Sequence, residues 1–184
     1  WFYGKISEAC RLLAQEAGAD IIELNFSCPN DKRGELYRDR KESSRVSKAV
    51  RNAIGNTMPL FIKIGYLEYS PLSEVLQANI NYINGITAIN TIAKVIVDRD
   101  GSEFFPGRIK AGISGSAIKP YAIEVVRNLN ELRLKNHYEF DILGVGGVMG
   151  SQDVQDYFDC GAKGVEACTG VWNNSDLAME IRAV

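Results

Sequence analysis

The chain has 184 residues, 46% of them hydrophobic and 24% charged, with a net charge of −2. That length supports one sizeable core rather than two large ones. No basic block or aromatic–basic interleaving marks a nucleic-acid or anionic-membrane surface. No apolar run approaches the roughly 18 residues of a membrane span, and no N-terminal segment reads as a signal peptide.

In chain order, the apolar pattern alternates between helical and strand periods. A helix over residues 7–17 stops at Gly18 and leads to a strand over 21–26. A helix over 43–54 stops at Gly55, and Pro59 precedes a strand over 60–64. A helix over 71–84 stops at Gly85 before a strand over 86–90. The stretch 93–115 is the longest connection and has no clear period, which suits a functional or mobile loop. It holds two turn-like runs, DRDG (98–101) and FFPG (104–107). Then follow a helix over 120–134, a strand over 142–145, a helix over 151–158 stopping at Gly161, and a strand over 165–169. A last helical pattern, 175–184, runs to the final residue, and position 1 is Trp1, so the chain reads as a single partial domain, 1–184, truncated at both ends.

Such repetition implies an α/β fold with a parallel sheet under helices. Two closures fit: an open doubly wound sheet, or part of a (β/α)8 barrel, which takes about 250 residues when whole. Strand parity leans towards the barrel. Ile22, Leu24 and Phe26 share one apolar face, while Ile21, Glu23 and Asn25 share the other. Leu60, Ile62 and Ile64 likewise oppose Phe61 and Lys63.

Ligands of parallel α/β folds gather at the carboxyl ends of strands, and polar residues mark those ends here. GVGG (144–147) before the helix from Ser151, and Cys168-Thr169-Gly170 before the last helix, read as a two-loop phosphate cradle or as plain turns. Lys63 lies within a strand on the polar face, paired with Glu23 or placed beside a cofactor that gains negative charge on reduction. Asn25, Asn30 and Asn90 each offer donor and acceptor, matching the imide edge of a pyrimidine.

Four cysteines (Cys10, Cys28, Cys160, Cys168) are scattered without a C-x-x-C pair, which predicts reduced thiols in a cytoplasmic protein and no metal site. Cys28, between Ser27 and Pro29 in a polar loop, is either an inert loop thiol or a general base. His137 sits in the polar run KNHYE (135–139) and reads as a surface residue.

The run ELNFSCPN (23–30) resembles the signature of the class 1 dihydroorotate dehydrogenases. The resemblance continues through PLFIKIG (59–65), TAINT (87–91), GISGSAIKP (112–120), GVGGV (144–148) and the Cys168-Thr169 pair, in the family order. It implies a (β/α)8 TIM barrel that is incomplete here, holding about strands 4 to 8, with FMN as cofactor. The implied reaction is oxidation of dihydroorotate to orotate in pyrimidine biosynthesis: Cys28 takes the C5 proton and the C6 hydride passes to FMN.

By the same resemblance, Asn25, Asn30, Asn90 and Thr91 hold the substrate. Asn25, Lys63, Ile89, Gly115, Gly146, Gly147, Cys168 and Thr169 hold the cofactor. The implied partners are a second copy in a homodimer or an iron–sulfur electron-transfer subunit. The first three strands, with a second active-site lysine and part of the substrate loop, are missing, so the chain is expected to be inactive alone.

Two residues depart from the family pattern. Cys168 stands where glycine is usual, and Glu166 where glutamine or another uncharged residue is usual. Cysteine at the former position also resembles the flavin domain of dihydropyrimidine dehydrogenases, which act on uracil and thymine, while Asn30 resembles the dihydroorotate enzymes. A non-catalytic barrel remnant is the reading from a different class.

Overall fold

The computed structural model describes residues 2–28, 35–107 and 110–182. Five strands, β1 (Ile22–Asn25), β2 (Leu60–Ile64), β3 (Gly85–Ala88), β6 (Asp141–Val145) and β7 (Gly164–Glu166), form a parallel sheet in the order β1-β2-β3-β6-β7. The order follows the chain without a reversal. That is the winding of a barrel segment and excludes the doubly wound alternative. Among the described residues the sheet does not close, and β1 and β7 are its edges.

Helices α1 (Phe2–Gln15), α2 (Arg40–Ile54), α3 (Tyr69–Asn79), α4 (Lys119–Asn136) and α5 (Ser151–Asp159) alternate with these strands. The carboxyl end carries α6 (Thr169–Asn173) and α7 (Leu177–Arg182). Asp39 caps α2 by accepting from the Lys41 and Glu42 N–H groups at 3.0 and 3.1 Å. Pro120 stands at the start of α4, where its missing N–H leaves no helical bond unmade.

The core lies between the sheet and the helices. Ile22, Leu24, Leu60, Ile62, Ile64, Ile86 and Ile142 project from the strands, and Val46, Val50, Leu72, Leu76, Val125, Val126 and Leu129 meet them from the helices. Parity is as expected: Ile22 and Leu24 are buried, while Ile21, Glu23 and Asn25 are exposed on the other face. One polar cluster sits inside this packing. Asn79, fully buried, donates to Ser43 Oγ and the Val75 carbonyl and accepts from Ser47 Oγ, which joins α3 to α2 with each polar atom paired.

Three expectations are corrected. The third parallel strand ends at Ala88 rather than residue 90. Pairing still reaches the next two residues through Ile89 N–H to Val145 O and Asn90 N–H to Ile64 O, and the Ala88–Ile89 peptide is cis. The last strand ends at Glu166, and Thr169 opens α6 instead. Finally, the connection 93–115 is not structureless. It contains an antiparallel pair, β4 (Ile92–Val95) with β5 (Lys110–Ile113), an isolated bridge between Val97 and Glu103, and a 3-10 turn at Gly115–Ile118. His137 is exposed, as expected. It also closes α4 in the left-handed conformation at φ 54°.

Candidate active site

The carboxyl ends of the five parallel strands surround one cavity of about 320 Å³, at the low end of small-ligand pockets. Ten candidate residues line it: Asn25, Lys63, Ile89, Asn90, Thr91, Gly115, Gly146, Gly147, Cys168 and Thr169. Cys28 lies just past Ser27 after β1, exposed and with a free thiol, and is not part of the cavity wall. Asn30 lies outside the described residues.

At the β1–β3 end, amides interlock. Asn25 Oδ1 accepts from Asn90 Nδ2 at 3.1 Å and from Ser27 Oγ at 2.9 Å, while Asn90 Oδ1 accepts from the Thr91 N–H at 2.7 Å. These bonds orient both amides at the rim.

The floor is charged. Lys63 Nζ lies 2.6 Å from Glu166 Oε2 and 3.5 Å from Glu23 Oε1, and Thr87 donates to Glu23 Oε2 at 2.5 Å. The pairing with Glu23 that the sequence allowed is therefore the weaker half of a three-membered cluster. Two carboxylates share one ammonium. Burial pushes the Glu23 carboxyl above its ordinary value, against the Thr87 hydrogen bond, and the Glu166 charge adds to the rise. Burial works against the Lys63 charge, but the two carboxylates outweigh it and raise its pKa.

The opposite wall is built from glycine backbone. Gly115, Gly146 and Gly147 have φ of +75°, +124° and +74°, which side chains rarely adopt. A Cβ on Gly147 would stand 2.7 Å from Lys119 Cβ and 3.0 Å from the Gly115 carbonyl oxygen. The 3-10 turn and the loop after β6 thus touch backbone to backbone. Tyr157 of α5, fully buried, donates to the Gly146 carbonyl at 2.6 Å. One turn earlier on α5, Asp153 Oδ2 accepts the Met149 N–H at 2.8 Å, and its Oδ1 meets Lys119 Nζ at 2.5 Å. Asp156 takes the same ammonium at 2.5 Å.

Several lining residues were not singled out from the sequence. Ser114 Oγ accepts from Thr169 Oγ1 at 3.0 Å and ties β5's end to α6's start. Its signal was its place beside Gly115 in the GISGSAIKP run. Gly170, read from the sequence as part of the Cys168-Thr169-Gly170 loop, lines the wall as well, and a Cβ there would run into the Val148 carbonyl oxygen. Glu166 was noted only as a departure from pattern, and its partner lies 103 residues away.

An incomplete (β/α)8 barrel with a ligand cavity at the carboxyl ends of its strands is the class of protein that these features define. A family model described as dihydroorotate dehydrogenase matches residues 5–183. The catalytic subunit of dihydroorotate dehydrogenase B (NAD(+)) from Methanocaldococcus jannaschii is 33% identical over 175 residues, covering 92% of this chain and 55% of the relative. Dihydroorotate dehydrogenase A (fumarate) from Limosilactobacillus reuteri is 31% identical over 158 residues, covering 83% and 48%. The crystal structure of DHODH from Eimeria tenella in complex with ferulenol superposes with a TM-score of 0.79 at 17% identity, over 98% of this chain and 52% of that one. The chain belongs to the dihydroorotate dehydrogenase family, in its class 1 branch. It spans about half the length of the curated relatives it matches.

Proposed function

We propose that this chain forms the carboxyl-terminal part of an FMN-dependent enzyme that oxidises dihydroorotate to orotate in pyrimidine biosynthesis. The observation that carries the reading is convergence. Ten residues drawn from six separate sequence blocks line a single cavity at the strand ends, in a chain of this family.

The wall fits a phosphorylated planar cofactor. Gly115, Gly146 and Gly147 bring backbone close where a side chain would intrude, with Cys168 and Thr169 completing that end. Ile89 adds an apolar flank, and Lys63 a fixed cation, at the other. Bound FMN would supply the acceptor for the hydride leaving C6 of dihydroorotate. Cys28, as thiolate, takes the C5 proton, and the electron pair of that C–H bond becomes the C5–C6 double bond of orotate. The amides of Asn25, Asn30 and Asn90, with the Thr91 hydroxyl, hold the pyrimidine edge.

Electrons leave to NAD through a partner subunit, or to fumarate. Relatives of both names match, and the "catalytic subunit" names support a partner subunit, which the family resemblance makes one of the iron–sulfur type. A homodimer is the other assembly in keeping with the family. A cytoplasmic setting belongs to the same reading, and no helix among the described residues is long and apolar enough to cross a membrane. The second reading, a dihydropyrimidine dehydrogenase-type flavin domain, draws on Cys168 in the cavity wall.

The test is a completed barrel, made by fusing the chain to the amino-terminal half of the Methanocaldococcus relative. Dihydroorotate should be turned over in preference to dihydrouracil, and Cys28→Ala should lower kcat by roughly 10²- to 10⁴-fold. Preference for dihydrouracil, or an unimpaired C28A variant, would overturn the assignment.

A further inference from the structure

Lys119 and Asp153 stand behind the glycine wall rather than in it. Lys119 directly follows the 3-10 turn that contributes Gly115 and Ile118 to the cavity, and Asp153 lies in the first turn of α5. Their side chains are only 23% and 21% exposed, and their charges meet at 2.5 Å. The other oxygen of Asp153 reaches the Met149 N–H, in the loop that carries Gly146, Gly147 and Val148. One carboxylate thus joins the two backbone segments whose spacing defines this end of the cavity. Lys119 has a second carboxylate, Asp156, to fix its direction.

We infer that Lys119 and Asp153 are positioning residues, a clamp that sets the gap between Gly115 and Gly147 for the phosphate end of a mononucleotide cofactor. The inference rests on the proposed function for the nature of the ligand, though not for the clamp itself. Geometry favours a clamp over a direct ligand role for Lys119. Its ammonium is spent on two aspartates, and Asp153 would repel an anion if it faced one. The loops approach too closely for independent motion: Gly147 has no room for a Cβ between Lys119 Cβ and the Gly115 carbonyl. A shift of one loop must therefore displace the other or break the charged bond.

The experiment compares Lys119→Met, Lys119→Arg and Asp153→Asn in the completed barrel, the fusion to the amino-terminal half of the Methanocaldococcus relative. Amide hydrogen exchange of residues 146–150 is read first. Affinities for added FMN and riboflavin, which differ only in the phosphate, are read second. K119M and D153N should speed exchange in this loop and weaken FMN roughly ten-fold while leaving riboflavin unchanged. K119R, which can still bridge both aspartates, should restore both readings. Unchanged exchange in K119M and D153N overturns the clamp. Faster exchange with equal losses for FMN and riboflavin overturns its service to the phosphate. Tighter FMN binding in D153N, where Lys119 keeps only Asp156, would show that Lys119 is itself a ligand. If the unaltered fusion does not discriminate FMN from riboflavin, the cofactor reading and the phosphate role both fall, while the exchange data still decide whether the clamp exists.

Discussion

Lys63 answers to two carboxylates, and its removal would leave both facing the cavity without a cation. Breaking a fully buried pair costs about 3–5 kcal/mol. Here the side chains keep 21% to 34% exposure, so Lys63→Met should cost less, about 1–2 kcal/mol by urea unfolding. Adding Glu166→Gln should recover part of that loss, and a double mutant no better than K63M would show that the pair is not coupled. Glu23 makes a pH prediction. Its folded pKa is raised, so the folded state holds the proton more tightly than the unfolded chain does. Its contribution is therefore fully present below the unfolded value of about 4.3 and is lost as pH rises through the higher folded value. Glu23→Gln should match the parent in thermal midpoint at acid pH and exceed it near neutrality. A difference that does not change with pH would refute this. The polar parity of Glu23 and Lys63 was legible in the sequence. The pairing of Lys63 with Glu166 was not, because local pattern carries no information about which distant strand end a side chain will meet.

Strand β2 meets β3 through an unequal pair, in which Phe61 is the register partner of Gly85. A Cβ on Gly85 would fall 2.0 Å from the Phe61 ring, so the glycine is the space the ring fills. Gly85→Ala should destabilise by about 1–3 kcal/mol through overpacking. Combining it with Phe61→Leu should restore most of the loss in a chemical-unfolding series, and additive losses would count against the packing account. In the sequence, Gly85 was legible only as a helix stop. The parallel strands and their helices were legible because period and glycine punctuation agreed in each βα unit. The β4–β5 pair was not. The short runs IAKV and KAGI are exposed or only partly buried, so no alternation of apolar and polar residues marks them as strands. The Asn79 cluster escaped for a related reason: a buried amide in a helix looks like any surface asparagine until its partners on α2 are known.

Among the described residues the sheet is an arc with two unpaired edges, β1 and β7, a condition that closed barrels avoid. Purified alone, the 184-residue protein should carry no stoichiometric yellow flavin and should not oxidise dihydroorotate. Flavin absorbance at one equivalent would refute this. The fold class and ten of the cavity residues were legible because both depend on strand ends, which the sequence marks with polar residues. How Cys28 stands relative to the cavity was not, since its reach depends on the loop that follows it.

The Lys63–Glu166 bond has a further, geometric consequence. Its two strands, β2 and β7, are three steps apart in the sheet, roughly 14 Å if the sheet were flat at about 4.8 Å per step. An ammonium and a carboxylate 2.6 Å apart across that span act as a chord drawn over an arc, and a chord shorter than its arc favours a curved sheet over a flat one. The curvature of the half-barrel, and so the angle at which β1 and β7 present their edges to further strands, is held in part by a single charged tie.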